Sequence, residues 1–319
     1  MSLPLEPPVA PQLALSRKEL PLGDQYRYEI KLDGFRCLAF VDDDERFLQS
    51  RNGRPLSRYF PELVLPAGRY VLDGEIVVRD ADGHEDFDAL GQRIHPAASR
   101  IERLSGETPA VFVAFDLLAR EDEVLVERSY DERREELEQL LAEPRFADAP
   151  VELMEVADDA DRAREWLQRA EGAIAKERDA PYRPGERKGM VKVKRVRTID
   201  AVVVGWRPGK QEGTVGALIL GLYDDGELRV VGHCSGLSAK EKKRLVGFLE
   251  PYQSGERGSA DPSRWSAGKD LEWVGLRPGL VVEIDFDHVS AGRIRHGAKL
   301  RRWRDDKPPA ECTYDQLRG

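Results

Sequence analysis

The sequence predicts an α+β protein of two units. Antiparallel sheets with flanking helices occupy residues 1–197, and a small β-barrel of OB type occupies residues 198–319. Two observations lead there. Before residue 197, apolar runs of strand length alternate with amphipathic helical stretches; beyond it the pattern changes to short strands with frequent glycines and one helix. A chain of 319 residues is also long enough to bury two cores.

The first 24 residues hold Pro4, Pro7, Pro8, Pro11 and Pro21 and read as an extended lead-in wrapping the first unit. Tyr26, Tyr28 and Ile30 alternate with charged residues, Asp33-Gly34 reads as a turn, and Phe35 to Val41 reads as a second strand. This predicts a hairpin with Lys31 at a strand end. From spacing alone, Lys31 reads as an exposed hairpin lysine paired with a carboxylate. Asn52-Gly53 marks another turn, and Tyr70 to Val78 reads as strand, turn-like Asp73-Gly74, strand. Phe87 to Leu104 reads as helical, and Val111 to Leu118 as a buried strand. Ser129 to Ala142 reads as an amphipathic surface helix, and Asp158 to Ala170 as a second, capped by Asp158 or Asp159. Met190 to Lys194 alternates apolar residues with lysine, as an edge-like strand would. In the second unit, strands are expected at Ala201–Trp206, Ala217–Tyr223, Leu228–Cys234 and Val281–Val289. Ser238 with Glu241 forms a capping box for a helix to Leu249.

Composition narrows the function classes. No apolar run approaches the ~18 residues of a membrane span, and Met1 to Pro11 has neither the basic nor the apolar region of a signal peptide. Cys37, Cys234 and Cys312 are isolated, without metal spacing or a disulfide framework, which fits a reducing cytoplasm. The net charge is −9, but it is unevenly spread: Arg120 to Glu165 carries −10, Arg183 to Arg197 carries +6, and Arg293 to Lys307 carries +5. Basic stripes on an acidic body are the footprint of a phosphate-backbone binder.

Several clusters stand in one order: Lys31-Leu-Asp33-Gly34 with Arg36; Ser50-Arg51-Asn52-Gly53; Leu72-Asp73-Gly74-Glu75; Phe115-Asp116-Leu117-Leu118; Glu171-Gly172 with Lys176; Lys192-Val-Lys194; and Arg302-Trp-Arg304-Asp-Asp306-Lys307. This order and spacing resembles the ATP-dependent DNA ligases, members of the covalent nucleotidyltransferase superfamily. The resemblance runs from Pro7 to the C-terminus and is strongest to the compact stand-alone bacterial repair ligases, the C-type enzymes. It implies an ATP-grasp-like nucleotidyltransferase domain before the OB-fold, and sealing of nicked duplex DNA with ATP and Mg²⁺, for which Mn²⁺ can substitute. A repair polymerase or end-binding protein is the implied protein partner. A monomer in the cytoplasm, at the nucleoid, is the expected state.

The resemblance also implies roles. Lys31 is the AMP-carrying nucleophile; a lysine amine forms a phosphoramidate only when deprotonated. Glu29 and Asp33, as its sequence neighbours, would oppose that, so a bound metal is required. Glu75 contacts the ribose hydroxyls and reaches the metal, and Phe115 stacks on adenine, although a core Phe in a buried strand is the plainer reading without the resemblance. Glu171 holds the metal with Asp33 in reach. Lys192 and Lys194 share a face by period 2 and neutralise the α-phosphate. Arg36 and Arg51 bind phosphates, and Glu29 and Lys176 complete the nucleotide site. Arg302, Arg304 and Lys307 orient the β- and γ-phosphates once the second unit swings over the first, on a hinge expected near Thr198–Asp200. Where the family usually has an aromatic residue before the lysine pair, this chain has Met190. Two rival functions remain: an RNA ligase or capping-type nucleotidyltransferase, which shares the Lys-x-Asp-Gly element, and a non-catalytic OB-fold nucleic-acid-binding protein. The terminal Arg302 to Lys307 cluster resembles the DNA enzymes better.

Overall fold

A computed structural model describes residues 2–260 and 271–318. The chain forms two compact units, Met1–Arg195 and Val196–Gly319. Thr198 to Asp200, expected to be a hinge, lie inside a strand that pairs them with Ile284 to Asp285 and Glu283. The connection falls just before, at Arg195-Val196, where no strand continues.

The first unit contains strands β1 (Leu15–Arg17), β2 (Tyr26–Lys31), β3 (Phe35–Asp43), β4 (Glu45–Ser50), β5 (Gly68–Val78), β6 (Ala110–Arg120), β7 (Glu123–Val124), β8 (Val151–Leu153), β9 (Val156–Ala157), β10 (Gly172–Glu177) and β11 (Met190–Lys194). Its helices are α1 (Phe87–Gln92), α2 (Ala98–Glu107), α3 (Tyr130–Leu141) and α4 (Ala160–Arg169). One sheet has the order β1-β11-β10-β2-β9, the other β4-β3-β5-β6-β7, with β8 beside β6.

The expected hairpin at Tyr26–Arg36 is therefore not one. Its two strands belong to different sheets, and Asp33-Gly34 is the step between them. Gly34 is needed for space: a Cβ there would lie 2.3 Å from the Ile76 carbonyl oxygen and 2.7 Å from Glu75 Cγ. Asp73-Gly74 is likewise no turn. The strand β5 runs through it, with a bulge where Asp73 faces Asp116 and Gly74 faces Ala114.

Residues alternate between the two faces of the second sheet. Cys37, Ala39, Ile76, Val78, Phe112 and Ala114 point into the main core with Leu90 of α1 and Leu137 and Leu140 of α3. Leu38, Phe40 and Val71 point the other way, under Leu3 and Val9 of the lead-in. On the first sheet, Trp166 of α4 packs with Tyr28, Ala173 and Ala175. The strand at Met190–Lys194 is an interior one, because β1 in the lead-in pairs with it in parallel. The helical stretch from Phe87 is split in two, with Pro96 between α1 and α2. The charged helix α3 starts at a Ser129 capping box, and the second helix is capped by Asp159. The helix α3 is not purely a surface element, since its Arg133 and Arg134 are buried.

The second unit contains β12 (Arg197–Pro208), β13 (Val215–Asp224), β14 (Glu227–Gly236), α5 (Ala239–Leu249), β15 (Gln253–Ala260), β16 (Leu271–Leu276), β17 (Val281–Phe286), β18 (Val289–Ser290), β19 (Arg293–Ile294) and β20 (Ala298–Trp303). The first half of β12 pairs with β17 and the second half with β13. This closes a ring β12-β13-β14-β20-β17, in which β14 and β20 run parallel and the other pairs antiparallel. That is the OB barrel, with α5 between its third and fourth strands. The expected helix and its Ser238–Glu241 capping box are present. Strands β15, β16 and β20 were not expected.

Candidate active site

Within the first unit the two sheets enclose a cavity of about 250 Å³. The strand β2 contributes Glu29 and Lys31, β10 contributes Ile174 and Lys176, and β11 contributes Met190 and Lys192. From the other sheet come Arg36 on β3, Glu75 on β5 and Phe115 on β6, with Arg51 from the turn after β4. The lead-in closes one side with Pro11 to Ala14, and Arg187 and Met154 complete the wall. Met190, which stands where the resemblance implies an aromatic residue, is buried against this wall.

Strand register explains why these side chains meet. Lys31, Gly172 and Lys194 form one cross-strand row, and Glu29, Ile174 and Lys192 form the next on the same face. Gly172 brings β10 and β11 close, since a Cβ there would lie 2.2 Å from the Val193 carbonyl oxygen. It also leaves no side chain between the two lysines. Glu171, next to it, takes Lys31 Nζ on one carboxylate oxygen and Lys194 Nζ at 3.3 Å on the other. The Glu171 side chain is 8% exposed and that of Lys31 20%. Lys31 Nζ also donates to the Leu32 carbonyl at 3.2 Å. Lys192 is pushed below the ordinary lysine range, mainly by burial and then by Lys31, Lys194 and Arg51.

Glu29, expected to oppose Lys31, is engaged elsewhere. Glu29 is 2% exposed and pairs with Lys176 Nζ at 2.8 Å, while the Tyr130 hydroxyl donates to the same oxygen at 2.7 Å. Asp33 does not line the cavity; its charge acts on Glu85 and helps hold that carboxyl up, after burial. The structure does not bring Asp33 into the cavity lining with Glu75. Glu171 is the carboxylate at the nucleophile. Among the described residues, the grouping of three ligand-type side chains at Asp80, Asp82 and His84 is exposed and outside the cavity.

Phe115 is the extra residue of the β5–β6 bulge, which leaves it without a partner opposite. The Arg36 guanidinium sits 4.4 Å from its ring centre and Lys176 Nζ 4.6 Å. Arg36 is fixed by two bonds of 2.6 Å to Asp73, which also accepts from the Tyr182 hydroxyl at 2.6 Å. Burial disfavours the Arg36 charge, but Asp73 outweighs it and keeps the guanidinium firmly protonated. Glu75, opposite Arg36 in register, is pushed up to about 7, by burial above all.

The second unit holds the remaining expected residues in local ion pairs. Arg302 bonds Glu283 at 2.5 Å. Arg304 bridges Asp200 at 2.9 Å and Asp306 at 2.8 Å, and Lys307 lies 3.3 Å from Glu311.

Sequence reasoning missed Tyr130, Arg133 and Tyr182, which form the layer beneath the cavity. Arg133 makes a bidentate pair with Asp116 at 2.7 and 2.9 Å, and its guanidinium lies 5.6 Å from the Tyr182 ring centre. Burial raises the Asp116 carboxyl, but Arg133 outweighs it and holds it below its ordinary value. One signal was available, the unexplained Asp116 beside Phe115 in the buried strand.

The ATP-dependent DNA ligase domain family matches residues 11–194, and the ATP-dependent DNA ligase C-terminal region matches residues 211–307. DNA ligase C1 of Mycolicibacterium smegmatis is 43% identical, over 99% of this chain and 96% of that protein. The multifunctional non-homologous end joining protein LigD of Pseudomonas aeruginosa is 33% identical, over 98% of this chain and 37% of its own length. A mycobacterial DNA ligase D solved with ATP and MES superposes with a TM-score of 0.53 at 30% identity, covering 96% of this chain and 98% of that one. With both family regions in order and 43% identity over nearly the full length of a DNA ligase, the chain belongs to the ATP-dependent DNA ligases.

Proposed function

We propose that the chain seals nicks in duplex DNA, with Lys31 as the nucleophile that carries AMP. The observation that carries the reading is the position of Lys31: its amine ends at Glu171, in a cavity that also presents Phe115, Glu75 and Lys192. The deprotonated Lys31 Nζ attacks the α-phosphorus of ATP; an N–P bond forms, the P–O bond to the β-phosphate breaks, the attacking nitrogen releases one proton to solvent, and pyrophosphate leaves. A 5′-phosphate oxygen of the nick then displaces the lysine, giving DNA-adenylate. The 3′-hydroxyl attacks that 5′-phosphorus, gives its proton to solvent, and AMP leaves.

Lys192 and Lys194 stabilise the charge on the phosphate as pyrophosphate departs. Arg51 takes a phosphate of the nucleotide or of the nick. The base lies against Phe115 beside Arg36, and Glu29 accepts a hydrogen bond from its amino group. Glu75 meets the ribose hydroxyls. Glu171 fits Mg²⁺ or Mn²⁺, because a hydrated magnesium ion takes one or two carboxylates, and Glu75 faces the same cavity. When bound, the ion supplies positive charge beside Lys31 and the α-phosphate. Arg302, Arg304 and Lys307 act on the β- and γ-phosphates after a closure that pivots at Arg195-Val196. By likeness to an end-joining protein, the enzyme works in DNA repair at the nucleoid, with a repair polymerase or end-binding protein as partner.

Sealing assays with ATP or GTP, on nicks of DNA or of RNA, test this reading. ATP-dependent sealing of DNA nicks is expected, with affinity for the nick falling steeply as salt rises. Labelling by GTP would move the chain to the capping enzymes, and sealing restricted to RNA would move it to the RNA ligases.

A further inference from the structure

The first turn of α3 supplies a buried hydroxyl that the chemistry of Lys31 does not use. Tyr130 is 2% exposed and donates to Glu29 Oε1 at 2.7 Å. Lys176 Nζ reaches the same oxygen at 2.8 Å and lies 4.8 Å from the Tyr130 ring centre. Two donors thus converge on one oxygen of a buried carboxylate in the cavity wall. A carboxylate held this way cannot rotate freely about its last bond, so its second oxygen has a fixed direction. The other wall of the base end is locked from the same helix. Arg133, whose guanidinium lies 5.9 Å from the Tyr130 ring centre, donates through Nε and Nη2 to Asp116, the residue after Phe115.

We infer that Tyr130 is a positioning residue for base selection, holding Glu29 so that its second oxygen meets the exocyclic amino group of adenine. The inference rests on the reading of this cavity as the ATP site. A carboxylate only accepts, so guanine, which presents a carbonyl oxygen at that edge, leaves two acceptors facing each other. A buried acceptor without a partner discriminates more strongly than a missing contact does. Selectivity for ATP therefore depends on how rigidly Glu29 is held, and Tyr130 supplies one of the two restraints.

The test is self-adenylylation of the full chain by labelled ATP and by purine riboside triphosphate, which lacks the amino group. Tyr130→Phe keeps the ring and its packing and removes the hydroxyl alone; Tyr130→Leu is a second variant that removes both. In Tyr130→Phe the ratio of kcat/KM for ATP over the purine analogue is expected to fall about tenfold, through KM for ATP, with kcat at saturating ATP within about twofold of the wild type. An unchanged ratio in a cooperatively folded Tyr130→Phe protein overturns the role of Tyr130 and leaves the ATP site standing. Equal losses of kcat with both nucleotides also overturn it, since that is what a merely structural residue would give. Absence of labelling of the wild type by ATP overturns the reading of the cavity itself.

Discussion

Lys31 and Glu171 meet directly, Nζ to carboxylate, beside the gap that Gly172 leaves in the cross-strand row between Lys31 and Lys194. The nucleophile is therefore placed by a glycine as much as by its own strand. Gly172→Ala puts a methyl group 2.2 Å from the Val193 carbonyl oxygen. The strands β10 and β11 must part, at a cost on the order of 2 kcal/mol or more. A lowered melting temperature together with loss of self-adenylylation is expected; a variant that melts and labels like the wild type would refute the close packing of this row.

Glu75 gives a pH dependence with a definite sign. Burial pushes its carboxyl from 4.5 to about 7. Between those values the folded protein holds a proton that the unfolded chain has released, so stability falls as pH rises through that window and stays at the lower level above it. Glu75→Gln removes this penalty. It is expected to raise the melting temperature at pH 8, by a free energy of roughly 1–3 kcal/mol, and to leave it unchanged at pH 4. Thermal melts of the two proteins at both pH values decide the point.

Arg133 and Asp116 are both about 2% exposed and form a bidentate pair under the cavity. Removing one partner leaves a buried charge alone, which costs about 3–5 kcal/mol. Arg133→Ala is expected to unfold at markedly lower denaturant than the wild type, whereas Arg162→Ala, at an exposed surface pair, should change stability by less than about 1 kcal/mol. Similar midpoints for the two variants would contradict the buried layer.

In the second unit, Arg304 joins Asp200 to Asp306 and so carries part of the fold. Lys307 pairs with Glu311 at 3.3 Å, an i,i+4 contact at the surface, and is the cleaner probe of a role toward the ATP phosphates. Lys307→Ala is expected to slow self-adenylylation at least tenfold more than it slows sealing of a pre-adenylylated nick. Equal effects on the two steps would remove the closing role from this segment.

The residues that carry chemistry were legible because their types and order survive translation into strands. Period 2 placed Lys192 and Lys194 on one face, and register confirms it. Sheet partnership was not legible, because Asp33-Gly34 is read locally as a turn while the choice of sheet for Phe35 to Asp43 is made by β4 and β5. Glu29 reads as opposing Lys31 for the same reason: it is a visible sequence neighbour, and Lys176 and Tyr130, which engage it, are distant in sequence. Strand β20 was hidden by its charge, since Lys299, Arg301 and Arg302 leave little apolar alternation. Helix α3 read as a solvent-facing element because nothing in its own stretch announces that Asp116 waits for Arg133.

The most direct test of the account is transfer of AMP to Lys31. The wild-type protein, incubated with ATP labelled at the α-phosphate and Mg²⁺, is expected to become covalently labelled with release of pyrophosphate, and Lys31→Ala is expected to show no label. Normal labelling of Lys31→Ala would contradict the assignment of the nucleophile and, with it, the mechanism built on that lysine.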